Sequence, residues 1–163
     1  MILPLLLILL LSGCKKEAVE SPAPPNAFSA NITVRAGKVT MEAALTQESP
    51  GLLCVAFTAP SELKGLRLEQ TPTAIKLAMG EIEREWPPGA LPEAGFLPLL
   101  QTALAQAQRA AAGKAIPMEH RKDDTWLLRG ESAGFPFSAV FAEDGALLRL
   151  EAPEAGVAVD LTY

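Results

Sequence analysis

"FSANITVRAGKVTMEAAL", residues 28–45, reads with a period of two. Phe28, Ala30, Ile32 and Val34 alternate with Ser29, Asn31, Thr33 and Arg35, which makes one face of an extended segment apolar and the other polar. "RAGK" supplies a turn, and Val39, Met41, Ala43 and Leu45 resume the alternation beyond it, so the stretch predicts an antiparallel hairpin. Downstream, "ESPG" turns the chain into "GLLCVAF" (residues 51–57), which is apolar on both sides and predicts a covered central strand with Cys54 as a small buried residue. Pro60 ends it. "LRLEQ" (66–70), "AIKLAM" (74–79) and "EIEREW" (81–86), separated by "TPT" and Gly80, predict three further short strands in meander order.

The period then changes. After the loop "PPGALPEAG" (87–95), Phe96, Leu97, Leu100, Ala103, Leu104, Ala107 and Ala111 follow a 3.6-residue stripe, which predicts an amphipathic helix with Pro98 in its first turn and Gly113 placed to end it. Four strands follow, "TWLLRGES" (125–132), "FPFSAVFA" (135–142), "ALLRLEA" (146–152) and "GVAVDLTY" (156–163). Short turns join antiparallel neighbours only. The expected fold is therefore mainly β (α+β): a single, strongly curved antiparallel sheet of about ten strands, with the helix packed on its concave side.

Upstream, "ILPLLLILLL" (residues 2–11) is apolar throughout but too short to cross a bilayer as a helix, which takes about 20 residues; its length fits the apolar region of a signal peptide. Leu11, Ser12, Gly13 and Cys14 follow, and this sequence resembles the lipobox of bacterial lipoproteins. That resemblance implies a signal peptide over 1–13, cleavage before Cys14, and a diacylglycerol on the Cys14 sulfur. The mature chain would then be held on the outer side of a bacterial membrane, or in the periplasm where an outer membrane exists. "KKEAVESPAPPNA" (15–27) is polar and proline-rich, so residues 14–27 are expected to form a lipidated, extended tether reaching up to ~40 Å, with the β domain over 28–163. With Cys14 acylated, Cys54 has no cysteine left to pair with.

The layout, the export signal and the segment "GLLCVAFTAPSELKGLRLEQTPTAIKLAMG" together resemble the LolA, LolB and RseB half-barrel superfamily of lipoprotein carriers, receptors and sensor relatives. The matching positions are Gly51, Leu53, Val55, Pro60, Gly65, Leu66, Leu68, Ile75, Leu77 and Gly80. The resemblance implies a concave apolar hollow that shelters acyl chains or another hydrophobic ligand. Its candidate lining is Ile32, Val34, Met41, Phe57, Leu68, Ile75, Leu77, Trp86, Phe137 and Leu148. The same residues would equally serve as a filled core against the helix, and composition alone admits either. The alternative function within this resemblance is an envelope protein–protein or sensory module, RseB-like, with no small ligand.

The chain has 163 residues, 49% of them hydrophobic, with a net charge of -5 and interleaved signs, which fits one monomeric domain and disfavours a nucleic-acid partner. It holds a single histidine, His120, in the charge run "MEHRKDD", and none of the spacings HExxH, G-x-S-x-G or Walker A. The expectation is therefore a protein that is not an enzyme, with no cofactor and no metal. Glu81 and Glu83, on one side of a strand, are expected to keep an edge soluble.

Overall fold

The alternating segments form strands where the sequence places them. The structure is a computed structural model that describes residues 20–92 and 95–163; the segment expected to be a signal peptide (1–13), Cys14 and residues 15–19 lie outside the described residues. The first six strands are β1 (Phe28–Ala36), β2 (Val39–Ser49), β3 (Leu52–Ala59), β4 (Leu66–Gln70), β5 (Ile75–Met79) and β6 (Ile82–Trp86). Helix α1 covers Phe96–Ala111. Then come β7 (Glu119–His120), β8 (Trp126–Ser132), β9 (Phe135–Phe141), β10 (Leu147–Ala152) and β11 (Val157–Thr162). The two-residue β7 lies within the charge run and pairs with Trp126 and Leu127.

Each strand pairs with its neighbour in an antiparallel ladder, and the spatial order is β6-β5-β4-β3-β2-β1-β11-β10-β9-β8-β7. The last strand thus returns beside the first, with Ile32 opposite Leu161 and Val34 opposite Val159. Among the described residues no ladder joins β6 to β7, and the eleven-stranded sheet is neither closed nor strongly curled. This overturns the expected strongly curved half-barrel of about ten strands with a helix in its hollow. Period-two patterning reports which residues share a face, but it carries no information about curvature, which arises from twist and bulges.

One face of this open sheet is apolar. Ala30, Ile32 and Val34 of β1, Ala43 and Leu45 of β2, Leu53, Val55 and Phe57 of β3, and Val157, Val159 and Leu161 of β11 are buried on it together. α1 lies on the same face and buries Leu97, Leu99, Leu100, Ala103, Leu104, Ala107 and Ala110. Full burial of a leucine contributes about 1.5–3 kcal/mol, so this layer dominates the stability. The helix ends as the glycine predicts: Gly113 has φ +67°, its N–H donates to Ala110 O at 3.0 Å, and the Lys114 N–H donates to Arg109 O at 2.8 Å. That pair of bonds satisfies carbonyls that the last turn would otherwise leave bare.

The chain before β1 departs from the tether reading. Pro24 is buried. The Ser21 hydroxyl accepts the Met118 N–H at 3.0 Å, and the Gln47 amide donates to Pro25 O at 3.3 Å and Asn26 O at 3.0 Å. Residues 21–26 are thus pinned along the domain, and any free tether ends near Glu20.

Candidate functional site

The ten candidate ligand residues do not share one environment. Ile32, Val34, Phe57, Leu68 and Phe137 belong to a continuous core under and around α1, and Met41 and Leu77 are half-buried against it. Leu148 sits at the register irregularity between Leu147 and Arg149, is half-buried, and stands apart from that core. Ile75 is buried at one end of β5, facing Trp86 across the β5–β6 ladder, and Trp86 itself is 40% exposed.

The register shows what joins Ile75, Leu77 and Trp86. Leu68 pairs with Leu77, Leu66 with Met79, Met79 with Ile82, Leu77 with Arg84 and Ile75 with Trp86. Directly opposed residues share a face of the sheet, so Leu66, Leu68, Ile75, Leu77, Met79, Ile82, Arg84 and Trp86 continue the apolar core face outward. Exposure rises along it: Met79 is 45% exposed and Ile82 65%. Leu63, Leu91 and Phe96 are half-buried against the core, and the Phe96 ring meets Phe57 edge-on at 6.4 Å. The outer part of this three-stranded wing, Met79, Ile82 and Trp86 with one cation, Arg84, between Ile82 and Trp86, is exposed apolar surface, whereas Leu68 and Ile75 on its inner part are buried. Reading Gly80 only as a break hides Met79 and Ile82, which flank the turn at the positions that continue the alternation.

The opposite face of the wing is polar. A shallow cavity of about 230 Å³ is lined there by Cys54, Arg67, Glu69, Lys76, Ala78 and Glu83. Cys54 therefore departs from its expected buried position: Leu53, Val55 and Phe57 point to the core, and Cys54 lies half-buried on the other side of β3. The Arg67 guanidinium approaches the Cys54 sulfur at 3.7 Å, and this contact raises the Arg67 pKa. Glu83 and Glu85 alternate along β6 with Ile82, Arg84 and Trp86, and all five residues are exposed.

His120 packs its ring on Trp126 with centroids 4.7 Å apart and stands 4.0 Å from Asp124. A hydrogen bond from the Thr125 hydroxyl at 2.6 Å lowers the Asp123 pKa. Nearby, Arg129 pairs with Glu119 at 2.7 Å. Among the described residues no three His, Cys, Asp or Glu side chains gather where a metal ion would bind, and this charged turn stays solvated.

No protein-family model matches the chain, and no curated protein matches it. Among solved structures, it is similar to an uncharacterized conserved protein from Thermus thermophilus, at 16% identity and TM-score 0.52, over 84% of this chain and 76% of that one. It is also similar to a LolA superfamily protein from Nitrosomonas europaea, at 12% identity and TM-score 0.43, over 88% and 87% of the two chains. A third is a DUF1329 family protein from Desulfovibrio piger, at 11% identity and TM-score 0.45, over 84% of each chain. What the Thermus structure shares with this chain at that identity is the fold alone.

Proposed function

We propose that this chain is an exported, non-enzymatic protein, held on the outer side of a membrane by lipid on Cys14, that binds the acyl chain of a lipid or lipoprotein on the β4–β6 wing. One observation carries the reading: on the continuation of the buried core face, Met79, Ile82 and Trp86 stand 45%, 65% and 40% exposed. Apolar surface of this kind, rimmed by charge, marks interaction sites. Arg84 lies on the same face beside them, where its guanidinium suits the carboxylate or phosphate at the polar end of a lipid. The wing thus replaces the enclosed hollow as the place for a ligand.

The reading is tested by purifying residues 15–163, which lack both the signal peptide and the acylated cysteine, then examining copurified lipid by mass spectrometry and titrating a fluorescent fatty acid. The expected result is saturable uptake by the parent and loss of it when Trp86→Ala is combined with Ile82→Ser. Absence of both bound lipid and probe uptake defeats the proposal.

A second reading, an envelope protein–protein or sensory module, is favoured by a different feature. β6 is an edge strand exposed along its whole length, and its unpaired backbone groups suit addition of a partner's strand. Crosslinking in cells from Glu83 would then recover a specific envelope protein, and none would be recovered if only a lipid binds.

A further inference from the structure

The pinned segment fixes where the domain meets its membrane. Ser21 is held by Met118, and Asn26 by Gln47 and by the Gln108 amide, which donates to Asn26 Oδ1 at 3.4 Å. Only the residues from Cys14 to Glu20 remain between the expected anchor and the docked chain. The Cα-to-Cα steps from Cys14 to Ser21 span at most about 25 Å, roughly half the reach of a tether running to residue 27. The described chain begins against the end of α1, where Glu20 and Ser21 line a cavity with Ala110, Ala111, Ala112, Gly113 and Pro117.

The surface at this end of α1 has its own chemistry. "RAAAGKAIP", residues 109–117, holds two cations and no carboxylate in a chain of net charge -5. Arg109 and Lys114 are exposed, and Ile116 is 82% exposed, the most exposed of the large hydrophobic side chains described. An apolar tip flanked by cations matches the boundary between anionic headgroups and acyl chains. Of the other loops at this end of the sheet, "RKDDT" (121–125) and "AEDGA" (142–146) carry carboxylates, and "PG" (50–51) and "TPTA" (71–74) carry no charge of either sign. We propose that residues 109–117 face an anionic lipid bilayer, with Ile116 entering the headgroup–acyl boundary and Arg109 and Lys114 lying over the phosphates. This inference rests on the lipid anchor proposed above. It leaves the β1–β2 turn at Lys38 away from the bilayer, because the nine residues of β1 separate the two ends by roughly 30 Å.

The test uses the full lipidated chain, Cys54→Ala, reconstituted in vesicles of phosphatidylethanolamine and phosphatidylglycerol. An environment-sensitive fluorophore is placed at Ile116→Cys, at Lys114→Cys as a milder second site, and at Lys38→Cys. Circular dichroism verifies that each variant folds. Severalfold stronger quenching by doxyl-labelled lipid at 116 and 114 than at 38 is expected, weaker in vesicles of phosphatidylcholine alone. Equal quenching at all sites, or shielding at 116 without lipid quenching as a dimer contact would give, overturns the inference. The anchor is read separately: intact mass reports the diacylglycerol on Cys14, so an unmodified Cys14 defeats the anchor, whereas a lipidated chain with no contrast between sites defeats only the orientation.

Discussion

Under α1 and at the outer end of β5 and β6, the same alternation of apolar and polar side chains meets opposite fates. In the centre, Val34, Leu45, Val55, Leu150 and Val159 are 0% exposed; in the wing, Met79, Ile82 and Trp86 are 40–65% exposed on the continuation of the same face. Strand chemistry does not separate them. The covering layer does: a helix of 16 residues is about 24 Å long, whereas eleven strands about 4.8 Å apart spread over roughly 48 Å. One helix therefore cannot cover the sheet, and α1 contacts β8, β10 and β11 more than the wing. Burial here is a property of what lies opposite a strand, and the uncovered remainder is where a ligand or partner finds apolar surface.

The largest effect that tests this contrast comes from truncating matched side chains in the two regions. Leu100, on the helix face, is 0% exposed, and Leu100→Ala is expected to cost about 3–5 kcal/mol, because the site loses apolar burial and keeps part of the cavity. Met79→Ala, with its side chain half in solvent, is expected to cost less than about 1 kcal/mol. Urea unfolding midpoints of the two variants check this. Equal costs would mean that the wing is covered in solution, and the contrast would fall.

A middle-sized effect probes the seam between the centre and the docked N-terminal segment. Gln47 is 3% exposed and donates to both Pro25 O and Asn26 O. Gln47→Leu removes the donor and leaves two carbonyls unsatisfied beside it, at an expected cost of about 1–2 kcal/mol. Hydrogen exchange over residues 20–27 should accelerate while exchange in β1 and β11 stays slow. Unchanged exchange would show that the buried Pro24, with the bonds from Met118 to Ser21 and from Gln108 to Asn26, holds the segment without Gln47.

These regions also differ in how far they are legible in the sequence. The hairpin, the helix stripe from Phe96 and the Gly113 stop are local signals, and each is where the pattern predicts it. Which strands α1 covers is a long-range matter that period two does not encode, so Trp86 and Val34 read alike. Simple alternation turns Leu148 inward, and the irregularity after Leu147 spoils that parity. "SPAPPNA" reads as a tether because prolines suit extended chain, yet the same stiffness suits docking, and the partner that binds it, Gln47, is some 20 residues away in sequence. A signal is present: Gln47 is a polar residue at an inward position after Ala43 and Leu45, and an inward amide implies carbonyls to receive it.

The smallest expected effect marks the rim of the covered centre. Tyr163, the single tyrosine, donates its phenol to Leu147 O at 2.9 Å and leans on Phe28 with ring centroids 6.0 Å apart. Burial pushes its pKa up to about 12, with the charge of Asp144 adding to the rise. A free phenol loses its proton near pH ~10. The folded chain therefore holds this proton where the unfolded chain has released it, so the contribution to stability is complete below pH ~10 and is lost as pH rises through about 12. Because the residue as a whole is 53% exposed, solvent screens most of the penalty and the effect on stability is small. Phenolate absorbance reads it without interference from another tyrosine. A midpoint near that of free phenol, with no loss of the urea midpoint across this range, would mean that the ring is undocked and that the covered region ends at Leu161.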